Sequence, residues 1–332
     1  MTRPSALLRA GFPYEMSLGM RRVTSNAVDL ALGNEDRVYV LCRGGLGMEI
    51  RILNWDDDNL GTIGTGKFQW PSSVLCDSDE NLYVSDEAHN KVFVFNKDGE
   101  ETASWGTKGN GDGEFDRPTG MSFDGDGNIM ISDALNHRVQ KYAKDGTFIS
   151  QFGENGDGDG QLNMPWGTTV DEVGDVYVAD WRNDRIQKFT PDGQFIMKLG
   201  SSGSGPGMLN RPTGVAVDSD GDIYVADWGN NRIQLFTEEG RYVEQFIGDS
   251  VLSRSAQQYI LANPVTLRLR EMADLEPTKR FRAPIYVRLG DEGRMLVPDF
   301  GSHRVQVYKK NAIPLSESEI APLLRNPILL TT

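Results

Sequence analysis

An all-β fold, a propeller of six four-stranded blades, is predicted by three observations. Pro71, Pro118, Pro165 and Pro212 lie 47 residues apart, and Asp86, Asp133, Asp180 and Asp227 keep the same step. Each unit breaks into short apolar runs separated by Asp-Gly turns; in the third unit the runs are 119–124, 128–132, 137–143 and 147–152. A four-stranded sheet cannot cover both of its faces alone, and stacking such sheets around an axis gives each one two neighbours.

Taken along the chain, residues 12–18 come first. Tyr14-Glu-Met-Ser-Leu18-Gly19 matches Phe195-Ile-Met-Lys-Leu199-Gly200, an outermost strand, so this segment is expected to complete the last blade and clasp the ring. Blades follow near 20–64, 65–106, 107–153, 154–200, 201–248 and 284–310. The first is degenerate, with Ala27 and Cys42 holding the Pro-to-Asp interval of 15 residues. The sixth is identified by Pro284 and Asp299, displaced by an insertion at 249–283 that joins a fourth strand to the next first strand and is therefore expected on the long-loop face. Within it, Ser253 to Asn263 reads as a short helix stopped by Pro264. NAIPLSESEIAP, from Asn311, is a poor strand, and 311–332 is assigned to a C-terminal tail.

Composition narrows the function. The chain of 332 residues has a net charge of −14, which disfavours nucleic acid, since phosphate binding rests on clustered Lys and Arg. Cys42 and Cys76 are too few for a disulfide framework. The first 22 residues, with Arg3 and Arg9 and no sustained apolar run, make a poor secretion signal. No stretch approaches a membrane span. A cytoplasmic protein without a cofactor is the expectation, with the oligomeric state open.

Several motifs have simple explanations. Asp218-Ser-Asp220-Gly-Asp222 opens like a calcium loop, but Ile223 and Gly229 stand where such a loop needs Gly and Glu. The same knot recurs at 77–81, 124–128 and 171–175, so it is read as a hairpin turn. GENGDGDGQ (153–161) is the one segment read as able to wrap calcium, through Asp157 and Asp159. The repeated Asp is followed five residues later by Lys91, Arg138, Arg185, Arg232 or Arg304, a pair made once per blade to hold a loop. His89, His137 and His303 sit in second-to-third loops and are read as surface residues.

The pattern RPTGVAVDSDGDIYVADWGNNRIQLF (211–236), with GRYVEQFIG after it, resembles the NHL repeat, strongly over 66–248. The resemblance implies a propeller. Its members include RNA-binding modules, protein-interaction platforms, sensor domains and a zinc-dependent amidating lyase. In that lyase the zinc histidines follow the strand-opening proline. Here those positions hold Ser72, Thr119, Trp166, Thr213 and Ile285, so the resemblance does not bring the zinc chemistry with it.

Strand order defines two faces. The first-to-second and third-to-fourth turns are short and share one end. The second-to-third and fourth-to-first loops share the other, and the site is sought there. Before the opening proline stand Trp70, Arg117 and Arg211; after it, Thr119, Trp166 and Thr213; after the repeated Asp, Glu87, Trp181, Trp228 and Phe300. Aromatic rings and arginines on one rim suit an apolar or aromatic ligand carrying an anionic group. The expected function is a ligand-binding or protein-interaction scaffold. The alternative is a hydrolase or lyase acting on a small organic substrate at the channel mouth, and RNA binding is a distant third.

Overall fold

A computed structural model describes residues 6–44 and 47–315. Residues 1–5 and 316–332, parts of the N-terminal segment and tail considered above, lie outside the described residues. Six four-stranded antiparallel sheets form the propeller. Blade three runs Pro118–Phe123, Ile129–Asp133, Arg138–Tyr142 and Phe148–Phe152 from axis to rim. Blades two, four and five repeat this register from Pro71, Pro165 and Pro212, each proline pairing with the repeated Asp of the next strand. The apolar runs bury both faces of each middle strand, so every interblade layer is a mixed core from two neighbouring sheets.

The ring closes as the sequence predicts. Tyr14–Leu18 is the outermost strand of blade six, with Met16 opposite Val307 and Leu18 opposite Val305. Leu18 is fully buried in the core between blades six and one. A second closure is one that the sequence reading misses. Asn311–Leu315 is a strand, paired with Ala6–Gly11. Pro314 makes that segment look unsuited to a sheet, but a two-stranded ribbon has edges only, where a missing N–H costs no ladder bond.

The acidic knot at 218–222 takes a protein cation. Lys310 Nζ lies 2.6 Å from Asp218, 2.7 Å from Asp220 and 2.9 Å from Asp222, and Arg9 bonds Asp222 from the first strand. Burial lowers the Lys310 pKa, but its bonds to Asp218 and Asp220 raise it overall. The segments just outside the ring, one from each end, are thus tied to the turn of blade five. Gly221 (φ 82°) supplies the left-handed residue that this turn needs.

The insertion holds three helices: α1 (Arg254–Leu261), α2 (Pro264–Glu271) and α3 (Glu276–Lys279). Ser253 caps α1 as its position suggests, but Pro264 opens α2 rather than only ending α1; at the first position of a helix its missing N–H is no loss. The insertion lies along the outside of blade six and reaches blade one. Ser250 Oγ meets Ser17 Oγ, and Ser255 donates to Asp57 through both N and Oγ.

Candidate functional site

The repeated Asp does the local work of building the long-loop face. In blade four Asp180 Oδ2 accepts from Arg185 Nε (2.7 Å), Asn183 Nδ2 (2.9 Å) and Gln187 Nε2 (3.1 Å), while Oδ1 accepts from the Asn163 amide (2.6 Å). Arg185 then donates to the Asp157, Gly158 and Gln161 carbonyls, which seats the fourth-to-first loop. Blades three and five repeat the network through Asp133 and Asp227. In this arrangement GENGDGDGQ is shaped by Arg185, and Asp159 pairs with Lys198. Blade two departs: Asp86 accepts from the Gln69, Trp70, Ala88 and His89 amides and pairs with His89.

A second latch links neighbouring blades. The residue after each second-to-third turn accepts from the amide that precedes the next blade's first strand. Asn90 holds Arg117 N (2.9 Å), His137 Nδ1 holds Met164 N (3.2 Å), Asp184 holds Arg211 N (2.7 Å), Asn231 holds Ala283 N (2.7 Å) and His303 Nδ1 holds Asn26 N (3.0 Å). Arg117, Met164, Arg211, Ala283 and Asn26 all have φ between 52° and 63°. His137 and His303 are therefore structural acceptors as well as rim residues. Burial lowers the pKa of both, helped by Arg182 at His137 and by Arg21 and Arg282 at His303.

The channel beneath this face is filled. Asp29, fully buried, takes a two-pronged contact from Arg288 (2.8 and 2.6 Å), Ser73 Oγ at 2.8 Å and Val74 N at 3.0 Å. That cluster joins blades six, one and two. On the opposite side Gly120, Gly167 and Gly214 let the innermost strands approach: a Cβ on Gly120 would meet Trp166 O at 2.6 Å and the Tyr286 hydroxyl at 2.9 Å. Tyr286 thus reaches across the axis from blade six and closes the channel with Val28 and Ile285. The plug has a faint sequence signal. Two residues after the opening proline, three blades carry Gly, whereas blades one and two carry Asp29 and Ser73.

Above the plug the predicted rim residues divide. Thr119 Oγ1 donates to Trp166 O (2.9 Å) and Thr213 Oγ1 to Ile285 O (2.7 Å); both are buried and committed to holding adjacent inner strands. Trp166, Trp228 and Phe300 pack on the plug. Glu87 is buried and faces Arg43 at 3.4 Å. The Arg43 guanidinium stacks on Trp70 (4.5 Å) and Phe300 (5.7 Å). Burial raises the Glu87 pKa, opposed by Arg43, Ser72 and Arg117, and lowers that of Arg43. Arg43 is absent from the sequence-derived set, yet it occupies the same phase: it follows Cys42, which stands in for the repeated Asp.

Two places on this face stay open. Gln69, Trp70, Glu87, Ala88 and Arg117 line a hollow of about 320 Å³, with Trp70 47% exposed. Two blades away, Arg211 stacks on Trp181 at 5.0 Å, and Trp181 on Trp166 at 5.9 Å. Arg117 and Arg211 are exposed, and among the described residues neither guanidinium makes an ion pair or hydrogen bond. Among the described residues no group of three or more His, Cys, Asp or Glu is placed to hold a metal ion, and no helix is long and apolar enough to cross a membrane.

Comparison with known proteins agrees with this architecture. The NHL repeat model matches residues 162–189 and 209–236, and a model described as a 6-bladed beta-propeller matches 68–153. No curated protein matches the sequence. Among solved structures, a protein of unknown function from Bacteroides thetaiotaomicron is 17% identical, with TM-score 0.63 over 91% of this chain and 72% of that one. A catalytically inactive virginiamycin B lyase from Staphylococcus aureus with quinupristin is 14% identical, with TM-score 0.58 over 90% and 88%. A chain of a nidogen/laminin complex is 18% identical, with TM-score 0.53 over 67% and 80%. At these identities the likeness is one of fold.

Proposed function

We propose that this six-bladed propeller with NHL repeats is a binding scaffold. Its long-loop face takes a ligand or partner segment that presents a carboxylate beside an apolar or aromatic group. The observation that carries this reading is an exposed guanidinium without an ion pair among the described residues, at two places on one face that also hold an indole: Arg117 lines the hollow beside Trp70, whose ring Arg43 stacks on, and Arg211 stacks on Trp181. Arginine without an internal partner binds carboxylates through two parallel hydrogen bonds, and the rings hold the neighbouring apolar part. The filled channel supports surface binding of an extended group over engulfment of a small molecule. The test is binding of a panel of aromatic carboxylic acids, and of peptides ending in Phe or Trp with free or amidated C-termini, to the parent, Arg117→Ala and Arg211→Ala proteins. Loss of binding at unchanged melting temperature is expected. Equal binding by all three proteins, or by the amidated peptides, contradicts the reading.

A hydrolase or lyase has one observation in its favour. Glu87 is a buried carboxyl with a raised pKa on the floor of the same hollow, the environment that suits a general acid. Glu87→Gln would abolish turnover while leaving ligand binding intact under that reading.

A further inference from the structure

Glu87 is a buried carboxyl that the blade architecture does not need. The phase it occupies, just after the repeated Asp, holds Arg43, Ala134, Trp181, Trp228 and Phe300 in the other blades, so the repeated loop network calls for no acid there. Its side chain is 4% exposed. Its amide donates to Trp70 O at 3.0 Å, which fixes it beside Trp70 on the floor of the hollow. Its ion pair with Arg43 Nη1 is long at 3.4 Å, against about 2.7–2.9 Å for a charge-assisted hydrogen bond. Arg43 is itself held by stacking on Trp70 and Phe300, and its buried Nε has no acceptor among the described residues. Glu87 is therefore a weakly compensated acid facing an open hollow.

The charged and titratable groups around it come from four blades. Arg43 of blade one and Arg117 of blade three favour its ionised form, as does the Ser72 hydroxyl. Asp86, its neighbour on blade two, opposes that form, and Tyr286 of blade six lies within electrostatic range. Burial outweighs the cations and raises the Glu87 pKa. A ligand carboxylate gripped by Arg117 tips this balance in one direction. It neutralises one of the two cations and sets a second negative charge beside the first, and both effects favour the protonated acid. Linkage is reciprocal, so the protonated acid favours the ligand by the same factor.

We infer that the Trp70 hollow takes a carboxylate together with one proton, drawn from solvent and held on Glu87, so that binding there strengthens as pH falls. The inference rests on the reading of this hollow as a carboxylate site and adds the proton to it. Arg117 supplies the grip, the Trp70 ring the apolar wall, and Glu87 the response to pH.

The experiment is calorimetric titration with indole-3-acetate of the full chain carrying Arg211→Ala, which leaves the Trp70 hollow as the remaining proposed site. Buffers of different ionisation enthalpy are used from about pH 5.5 to 8.5, where an ordinary ligand carboxylate stays ionised. The slope of observed heat against buffer enthalpy counts the protons taken up. Uptake of a large fraction of a proton is expected, with affinity falling by about tenfold or more across this range. Glu87→Gln keeps the shape and is permanently neutral, so it is expected to bind without uptake and with an affinity that no longer depends on pH. His89→Gln removes the imidazole that pairs with Asp86 and is expected to keep the uptake. Melting temperatures verify that the variants fold; if Glu87→Gln does not, the slopes of the other two proteins decide. Binding without proton uptake overturns the inference and leaves the carboxylate reading standing. Uptake that persists in Glu87→Gln, or vanishes in His89→Gln, does the same. Absence of binding, or binding that Arg117→Ala leaves unchanged, overturns the carboxylate reading of the hollow and the inference with it.

Discussion

At the scale of single residues, the rim gives different side chains very different tasks. Thr119 and Thr213 share a phase with Trp166, but in the folded chain their hydroxyls are spent on neighbouring carbonyls. Sequence spacing places a residue on a face but does not say whether its polar atoms are already satisfied. The histidines show the same limit. His137 and His303 read as surface residues, yet each accepts an amide proton that fixes a left-handed residue of the next blade. A protonated imidazole has no acceptor nitrogen. Their folded-state pKa values lie below the unfolded value of about 6.5, so their stabilisation is complete above that pH and falls away as pH drops through the unfolded and then the folded pKa. The account predicts that the double variant His137→Asn, His303→Asn, which installs the residue found at Asn90 and Asn231, loses less melting temperature than the parent between neutral and mildly acidic pH. Equal acid losses would show that the two latches do not titrate.

At the scale of elements, the Asp–Arg–Gln network and the terminal clasp hold the blades in shape. Asp180 is wholly buried and anchors three side chains and an amide. Asp180→Ala leaves Arg185 buried without its partner, a change that costs about 3–5 kcal/mol, and it frees the 153–161 loop. Urea titration together with amide exchange of that loop measures both effects. The clasp makes a complementary prediction. Leu18→Ala in the core between blades six and one is expected to cost about 2–5 kcal/mol, whereas Leu8→Ala, half-exposed in the outer ribbon, is expected to cost far less. The strand at Tyr14–Leu18 was legible because it repeats another blade's outermost strand. The ribbon strand at Asn311–Leu315 was not, because it belongs to no repeat and its partner lies at the far end of the chain.

At the scale of the whole molecule, the period of 47 residues carried nearly all of the fold, since each repeat states the same strand pattern and a closed ring is the arrangement that covers every sheet. The site was legible only as a set of phases. Departures from the repeat proved the informative positions: Asp29 and Ser73 in place of Gly build the channel plug, and Arg43 after Cys42 joins Trp70 and Glu87 at the mouth. The plug moves the candidate site from the channel to the surface of the long-loop face, where Arg117 and Arg211 stand beside indoles. The six tryptophans allow that claim to be tested within one spectrum. Trp70 and Trp181 belong to the proposed face, Trp55 borders the insertion and Trp105 lies on the outermost strand of blade two. The measurement is the indole ¹H–¹⁵N spectrum of the protein during titration with indole-3-acetate. Saturable shifts of the Trp70 and Trp181 signals, with Trp55 and Trp105 unmoved, are predicted; shifts confined to Trp55 or Trp105, or no saturable shift at all, would contradict binding at this face.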